Sequence, residues 1–224
     1  MIVYRFLHAR HGLQALQTRR LKVGRLGELN DPMDCAPRIV NYPARHVDVL
    51  NEQFEQRVLV GAAATVGLLC FSAAVHDPVV WSHYADAHRG IALGFAFEHR
   101  ERLLPVQYQT ERAELDYTTL AGRGGMSSAA LEQGFTRKAA SWSYEQEYRM
   151  FINLDHCEMD GDHYFLSMPQ MAFVQVVLGA RCSLIANDIL RLLRVETKVS
   201  VLRAQKNQHS YRLDLAGELE TTVT

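Results

Sequence analysis

No two cysteines stand close enough in this sequence to argue for a metal knuckle or a redox couple. Cys35, Cys70, Cys157 and Cys182 are far apart, with no Cys-x-x-Cys spacing, and such spacing is the usual signature of both. Reduced thiols in a cytoplasmic protein are the expectation. Long apolar runs are also missing. The longest, Val58 to Cys70, falls short of the roughly 18 to 20 residues a bilayer crossing needs, so no membrane association is expected. The first residues place Arg5 and Arg10 inside an apolar stretch, where a secretory leader would have a basic segment followed by an apolar one. They read as a first strand. Charge of either sign is scarce in the balance, at a formal −1, which leaves no global footprint for nucleic acid. The one local basic cluster, Arg19, Arg20, Lys22 and Arg25, reads as either a binding patch or a solvated helix end. The six prolines are scattered, and neither a low-complexity tract nor a 20- to 50-residue repeat is present, so a linker between domains is not expected.

What is present is apolar content of 48% in 224 residues, enough to bury a sizeable core in one domain. Periodicity predicts strands over Ile2–Leu7, Leu68–Ser72, Gly90–Phe97, Leu104–Tyr108, Glu147–Leu154 and Phe173–Leu178, with a short extended piece at Leu21–Val23. Helices are predicted over Gly12–Thr18, Val47–Leu68 with an end near Gly67, Ala129–Ala140, and Ser183–Leu193 capped by Ser183, with a helical turn or two in Asp77–Ala87. Asn30, Asp31 and Pro32 force a turn within Leu29–Asp34. Helices and strands alternate without regular β-α-β units. The fold class is therefore α+β, a single domain with a mixed or split, antiparallel-rich sheet flanked by helices.

Three places put polar chemistry on buried strands. Arg5 interrupts an apolar strand, so it either faces solvent or enters a polar cleft with a partner. Ser72 ends a buried strand and is followed by Trp81, Ser82, His83, Tyr84 and Asp86, an unusual density of hydrogen-bonding aromatic groups. On a helix Trp81 and Tyr84 share one face and Ser82 and Asp86 another, although aromatics packed in a core with polar tips outside fit the same pattern. The third place is Trp142–Arg149. In an extended chain Glu145, Glu147 and Arg149 point to one face while Tyr144 and Tyr148 occupy the other. Two carboxylates with a guanidinium can orient a hydroxyl, stabilise a developing cation or hold a metal, or they can be an exposed stripe of ion pairs.

Leu29–Asp34, Cys70–Ser72, Trp81–Asp86 with Gly90, Gly94 and Phe95, and Lys138–Arg149, in that order, resemble the bacterial family catalogued as domain of unknown function 2971. A more distant resemblance is to the ADP-ribosyltransferase fold, whose sites take an arginine or histidine from the first strand, a serine ending a middle strand and a Glu-x-Glu or Gln-x-Glu from a later one. That resemblance implies NAD as substrate, with Arg5 on a phosphate or ribose, Ser72 supporting the nicotinamide-side ribose, and Trp81, Tyr84 or Tyr144 stacking on a ring. It implies Glu147 on the ribose 2′-hydroxyl, stabilising an oxocarbenium-like transition state, and Glu145 positioning or deprotonating the acceptor. No metal is required by that chemistry. Asn30, Asp31, Asp34, His83, Asp86 and Arg149 would support the site, and the acceptor stays open between nucleic acid, protein and small molecule. The chain departs from the transferase pattern at Ala74, where a second serine is usual. Asp31 and Asp34 near Arg149 would also make a buried polar network of purely structural use. Two other classes fit the same residues: a noncatalytic nucleotide- or partner-binding module, and a metal-dependent nuclease or hydrolase built on Asp31, Asp34, Glu145, Glu147 and His83.

Overall fold

The computed structural model describes residues 1–41, 60–97, 102–116, 127–168, 173–193 and 198–220. In chain order the strands are β1 (Val3–Leu7), β2 (Arg20–Arg25), β3 (Arg38–Val40), β4 (Val66–Ser72), β5 (Ile91–Phe95), β6 (Leu104–Pro105), β7 (Gln107–Gln109), β8 (Glu114–Asp116), β9 (Arg137–Ala139), β10 (Glu147–Asn153), β11 (Glu158–Asp160), β12 (His163–Ser167), β13 (Phe173–Leu178), β14 (Ser200–Lys206) and β15 (Leu213–Glu220). The helices are α1 (Ala9–Thr18), α2 (Pro78–Tyr84), α3 (Ser128–Phe135) and α4 (Ala186–Leu190). The architecture is α+β: one large mixed sheet runs β11-β12-β2-β4-β1-β5-β13-β14-β15, with β10 beside β4 and β6 beside β10. Among the described residues only β13 and β14 pair in parallel within it. Two small parallel ladders, β3 with β8 and β7 with β9, lie apart from it.

Alternation along the central strands divides the core. Ile91, Leu93 and Phe95 of β5 and Val176 and Leu178 of β13 face a cluster that also holds Leu16 of α1 and Ile189 of α4. Ala92 and Val177 face the other side, toward Trp81 of α2. Both faces of these strands are covered, which is why they read as continuous apolar runs and not as alternating ones. A third cluster, with Leu26, Cys35, Leu68, Leu115 and Phe135, lies under the Asn30–Asp34 turn and α3.

The sheet forks at β4, and the fork positions the site. Along one edge β4 meets β2 through Leu68 and Gly67, then β1 at Ser72. Along the other it pairs with β10 from Val66 to Ser72. Where β1 and β2 part, the Arg5 guanidinium donates to the carbonyls of Cys70 at 3.2 Å and Lys22 at 2.9 Å. It ties β4 and β2 to β1 across the gap through these two carbonyls.

Several expected boundaries move. The predicted Val47–Leu68 helix falls largely outside the described residues. Residues 60–65 are helical, but β4 begins at Val66. Gly67 is therefore a strand residue, where a Cβ would come within 2.3 Å of Val23 Cγ1. The Ala129–Ala140 helix stops at Phe135, because β7 captures the following backbone: Gln107 N–H donates to the Thr136 carbonyl at 2.8 Å, and β9 follows. The Leu104–Tyr108 strand divides at Val106, its halves pairing with β10 and β9. Ser183 caps nothing. The last helix is shorter, Ala186–Leu190, and Asp188 accepts from the Ile185 N–H at its start. The β11–β12 and β14–β15 pairs were not foreseen from the sequence.

Candidate functional site

Glu145, Glu147 and Arg149 do meet, but not as one face of a strand. Ala140–Glu145 is a 3-10 turn, and Gln146 takes a left-handed conformation with φ 45°, so β10 begins only at Glu147. The turn brings Glu145 back beside Glu147, and a residue not anticipated as part of the site, Lys138 of β9, joins them. Its ammonium lies 2.6 Å from Glu145 Oε2, 3.1 Å from Glu147 Oε2 and 3.3 Å from Asp34 Oδ2. Arg149, with no exposed surface, completes the cluster. Its Nε donates to Glu147 Oε1 at 2.8 Å, and Nη2 to Asp34 Oδ2 at 2.7 Å. Nη1 reaches the Phe135 carbonyl at 2.7 Å and Cys35 Sγ at 3.0 Å. Three carboxylates and two cations are thus buried together, each held by several partners, the condition under which buried charge is tolerated.

Surrounding groups fix the carboxylates. The Tyr84 hydroxyl of α2 donates to Glu145 Oε1, and Asn30 Nδ2 donates to that hydroxyl at 3.4 Å. Ser72 Oγ donates to the Glu145 carbonyl and accepts from the Ala74 N–H at 3.0 Å. The Glu147 N–H donates to the Tyr108 hydroxyl at 2.8 Å. Burial pushes the Glu145 carboxyl above its ordinary range, against the pull of Lys138. Burial pushes Glu147 up too, but Arg149 and Lys138 prevail and hold it down at about 2. For Lys138, burial disfavours the charge and the three carboxylates restore it, leaving its pKa raised.

A cavity of about 170 Å³ opens on this cluster, lined among others by Tyr4, Arg5, Ser72, Tyr84, Lys138, Glu145 and Glu147. It is smaller than the roughly 300–1,000 Å³ of ordinary small-molecule sites, so it takes one ring system, with the rest of a larger ligand outside.

Other anticipated residues go elsewhere. Trp81 is wholly buried, its Nε1 donating to the Val75 carbonyl at 2.7 Å and its ring edge-on to Phe6; as a stacking platform for a ligand it is corrected to a core residue. Asp86 follows the end of α2 with φ 48° and pairs with Arg89 at the surface, so it does not share a helix face with Ser82 and is not at the cluster. His83 and Tyr144 bond each other at 2.9 Å, packed against Trp142 on the outer side. Trp142 in turn donates to Asp31 Oδ2 at 2.8 Å. Asp31 therefore braces the rim, and only Asp34 of the turn reaches Arg149. Tyr4, and not Arg5, stands across from Ser72.

Residues 80–150 match the model of a family described as protein of unknown function (DUF2971). No curated protein and no solved structure matches the chain. The matched segment carries Tyr84, Lys138, Trp142, Glu145, Glu147 and Arg149, while Arg5, Asp34 and Ser72 come from outside it. Lys138 gave no sequence signal of its own, since it fell inside the predicted Ala129–Ala140 helix. Its ammonium stands between Asp34, Glu145 and Glu147, where the hydrolase reading would need a metal ion.

Proposed function

We propose that the protein is an ADP-ribosyltransferase-like enzyme that cleaves NAD at the nicotinamide glycosidic bond and passes ADP-ribose to an acceptor. The observation that carries this reading is the register across three neighbouring strands. Tyr4 of β1 stands opposite Ser72 of β4, and Ser72 stands opposite Glu147 of β10, with all three lining one cavity. Breaking the bond releases nicotinamide with the bonding electron pair and leaves positive charge on the ribose. The cluster favours that charge, because three carboxylates face two cations in a water-poor setting where a fixed charge acts strongly. Glu147, ionised well below neutral pH, is the group aimed at the ribose. Glu145, with its raised pKa, suits proton transfer from the acceptor. Ser72 acts through the Glu145 carbonyl as a positioning residue, and Arg5 keeps the β-fork closed, so the reading does not need it as a phosphate clamp.

One observation favours a second reading, a binding module without turnover: both Glu147 oxygens are already held by Arg149 and Lys138, so the cluster is complete without a ligand. Nicotinamide release from NAD by the metal-free protein, with cell extract as a source of acceptors, separates the two. Wild type should release nicotinamide. Glu145→Gln and Glu147→Gln should each slow release by about 100-fold or more while a thermal melt shows them folded. Saturable NAD binding without release favours the binding module. A folded Glu147→Gln protein releasing at the wild-type rate, or no binding and no release by wild type, sinks the transferase reading.

A further inference from the structure

A second, larger concavity of about 1,140 Å³ lies on the other side of α2. Val80 and Tyr84 of that helix face the carboxylate cavity, while Pro78 and Ser82 line this groove. Its far wall is the start of the β13–α4 connection and the tip of the β14–β15 hairpin. Arg181, Arg203, Lys206, His209, Tyr211 and Arg212 line it, and none of the described lining residues is an aspartate or glutamate. Among the described residues no carboxylate forms an ion pair with Arg181, Lys206 or Arg212. This concentration of positive charge stands out in a chain whose formal net charge is −1.

The hairpin tip is built to hold its shape. Asn207 Oδ1 accepts from the His209 and Ser210 N–H groups at 2.8 and 2.7 Å, and its Nδ2 donates to Asp214, which holds that carboxylate on the hairpin. Arg203 is fixed against the carbonyls of Cys182 and Leu184 at 2.9 and 2.6 Å. On this fixed turn Tyr211 is 99% exposed, its ring in water beside Arg212. A large ring left in solvent among unpaired cations, on an ordered turn, is costly to no folding contact and suited to a planar, anionic partner.

We infer that this groove binds single-stranded nucleic acid, with Arg181, Lys206 and Arg212 meeting phosphates and Tyr211 stacking on a base. The combination decides against the other polyanions. A phosphopeptide would use the cations and leave the ring idle, and a duplex hides its base faces, whereas a single strand offers phosphates and open π-faces together. The inference stands apart from the NAD reading, since it needs only the groove.

The test is fluorescence anisotropy of the full chain with a labelled single-stranded oligonucleotide of about 12 nucleotides, within the usual site size for such grooves. A duplex of the same length and an acidic phosphopeptide serve as competitors. Three phosphate contacts predict a slope of log K against log salt of about −2. Tyr211→Ala should weaken single-strand binding about tenfold with the slope unchanged. Lys206→Ala with Arg212→Ala should flatten the slope by about 1.4. All three side chains are exposed, so unfolding is not a concern, and unchanged thermal melts verify it. Absence of saturable binding at low salt overturns the inference. So does binding that Tyr211→Ala leaves intact, or competition in which the phosphopeptide or duplex outdoes the single strand.

Discussion

Arg149 has no contact with water, and every one of its hydrogen-bonding atoms is committed to a partner from a different part of the chain: Asp34 from the turn after β2, Glu147 two residues away, and the carbonyl at the end of α3. Its role is to make a buried pair of carboxylates tolerable. Replacing it by methionine fills similar volume but leaves Asp34 and Glu147 to share Lys138 as their one remaining counter-charge. Arg149→Met is expected to cost about 3–5 kcal/mol of unfolding free energy, measured by urea titration. A loss under about 1 kcal/mol would mean that Lys138 alone can hold both carboxylates. Lys138 is the mirror case, a cation whose charge survives burial only because three acids surround it.

Between elements, a tight joint is where α2 returns to β5. Asp86, Ala87 and His88 all take positive φ, at 48°, 49° and 69°, which turns the chain sharply after the helix. Gly90 then passes so close to β1 that a Cβ would lie 2.1 Å from the Leu7 carbonyl and 2.9 Å from that of Ala85. Both obstacles are backbone and cannot rotate away. Gly90→Ala should therefore destabilise by about 1–3 kcal/mol, despite the entropic gain that alanine usually brings, because β1 or the turn must shift. Thermal melts of the variant check it, and an unchanged or higher midpoint would show that the joint has slack. Since α2 carries Tyr84 on one side and the basic groove on the other, a shift there is expected to disturb both surfaces.

At the scale of the molecule the buried charges set the response to acid. Glu147 is held at about 2 against an ordinary 4.5, so between those values the folded chain binds fewer protons than the unfolded one at this group. Its contribution is full above about pH 4.5 and is lost as pH falls toward 2. Glu145, raised by burial, has the opposite sign: its contribution is present in acid and is lost as pH rises through its folded value. The gap in melting temperature between wild type and Glu147→Gln should accordingly narrow as pH falls from 4.5 to 2. A gap that stays constant would show that Glu147 is not ionised in the folded state.

The β1, β4, β5, β10 and β13 strands, the turn at Asn30–Asp34 and the α+β class were legible in the sequence, because short apolar runs bounded by turn residues and an Asx-Pro turn are local signals. Glu147 and Arg149 on one face followed from the strand period alone. What only the tertiary structure decided depends on pairing between distant segments. Lys138 became a strand residue at the centre of three acids once β7 drew it out of the expected helix. Glu145 reached the cluster through a left-handed Gln146, and Trp81 was claimed by the core. The basic groove likewise gathers cations spread from residue 181 to residue 212, while the contiguous cluster at Arg19–Arg25 is partly neutralised by Glu158, Asp160 and Glu28. A one-dimensional pattern records which groups exist and their local period, but charge acts through distance, and distance is set only when the sheet closes.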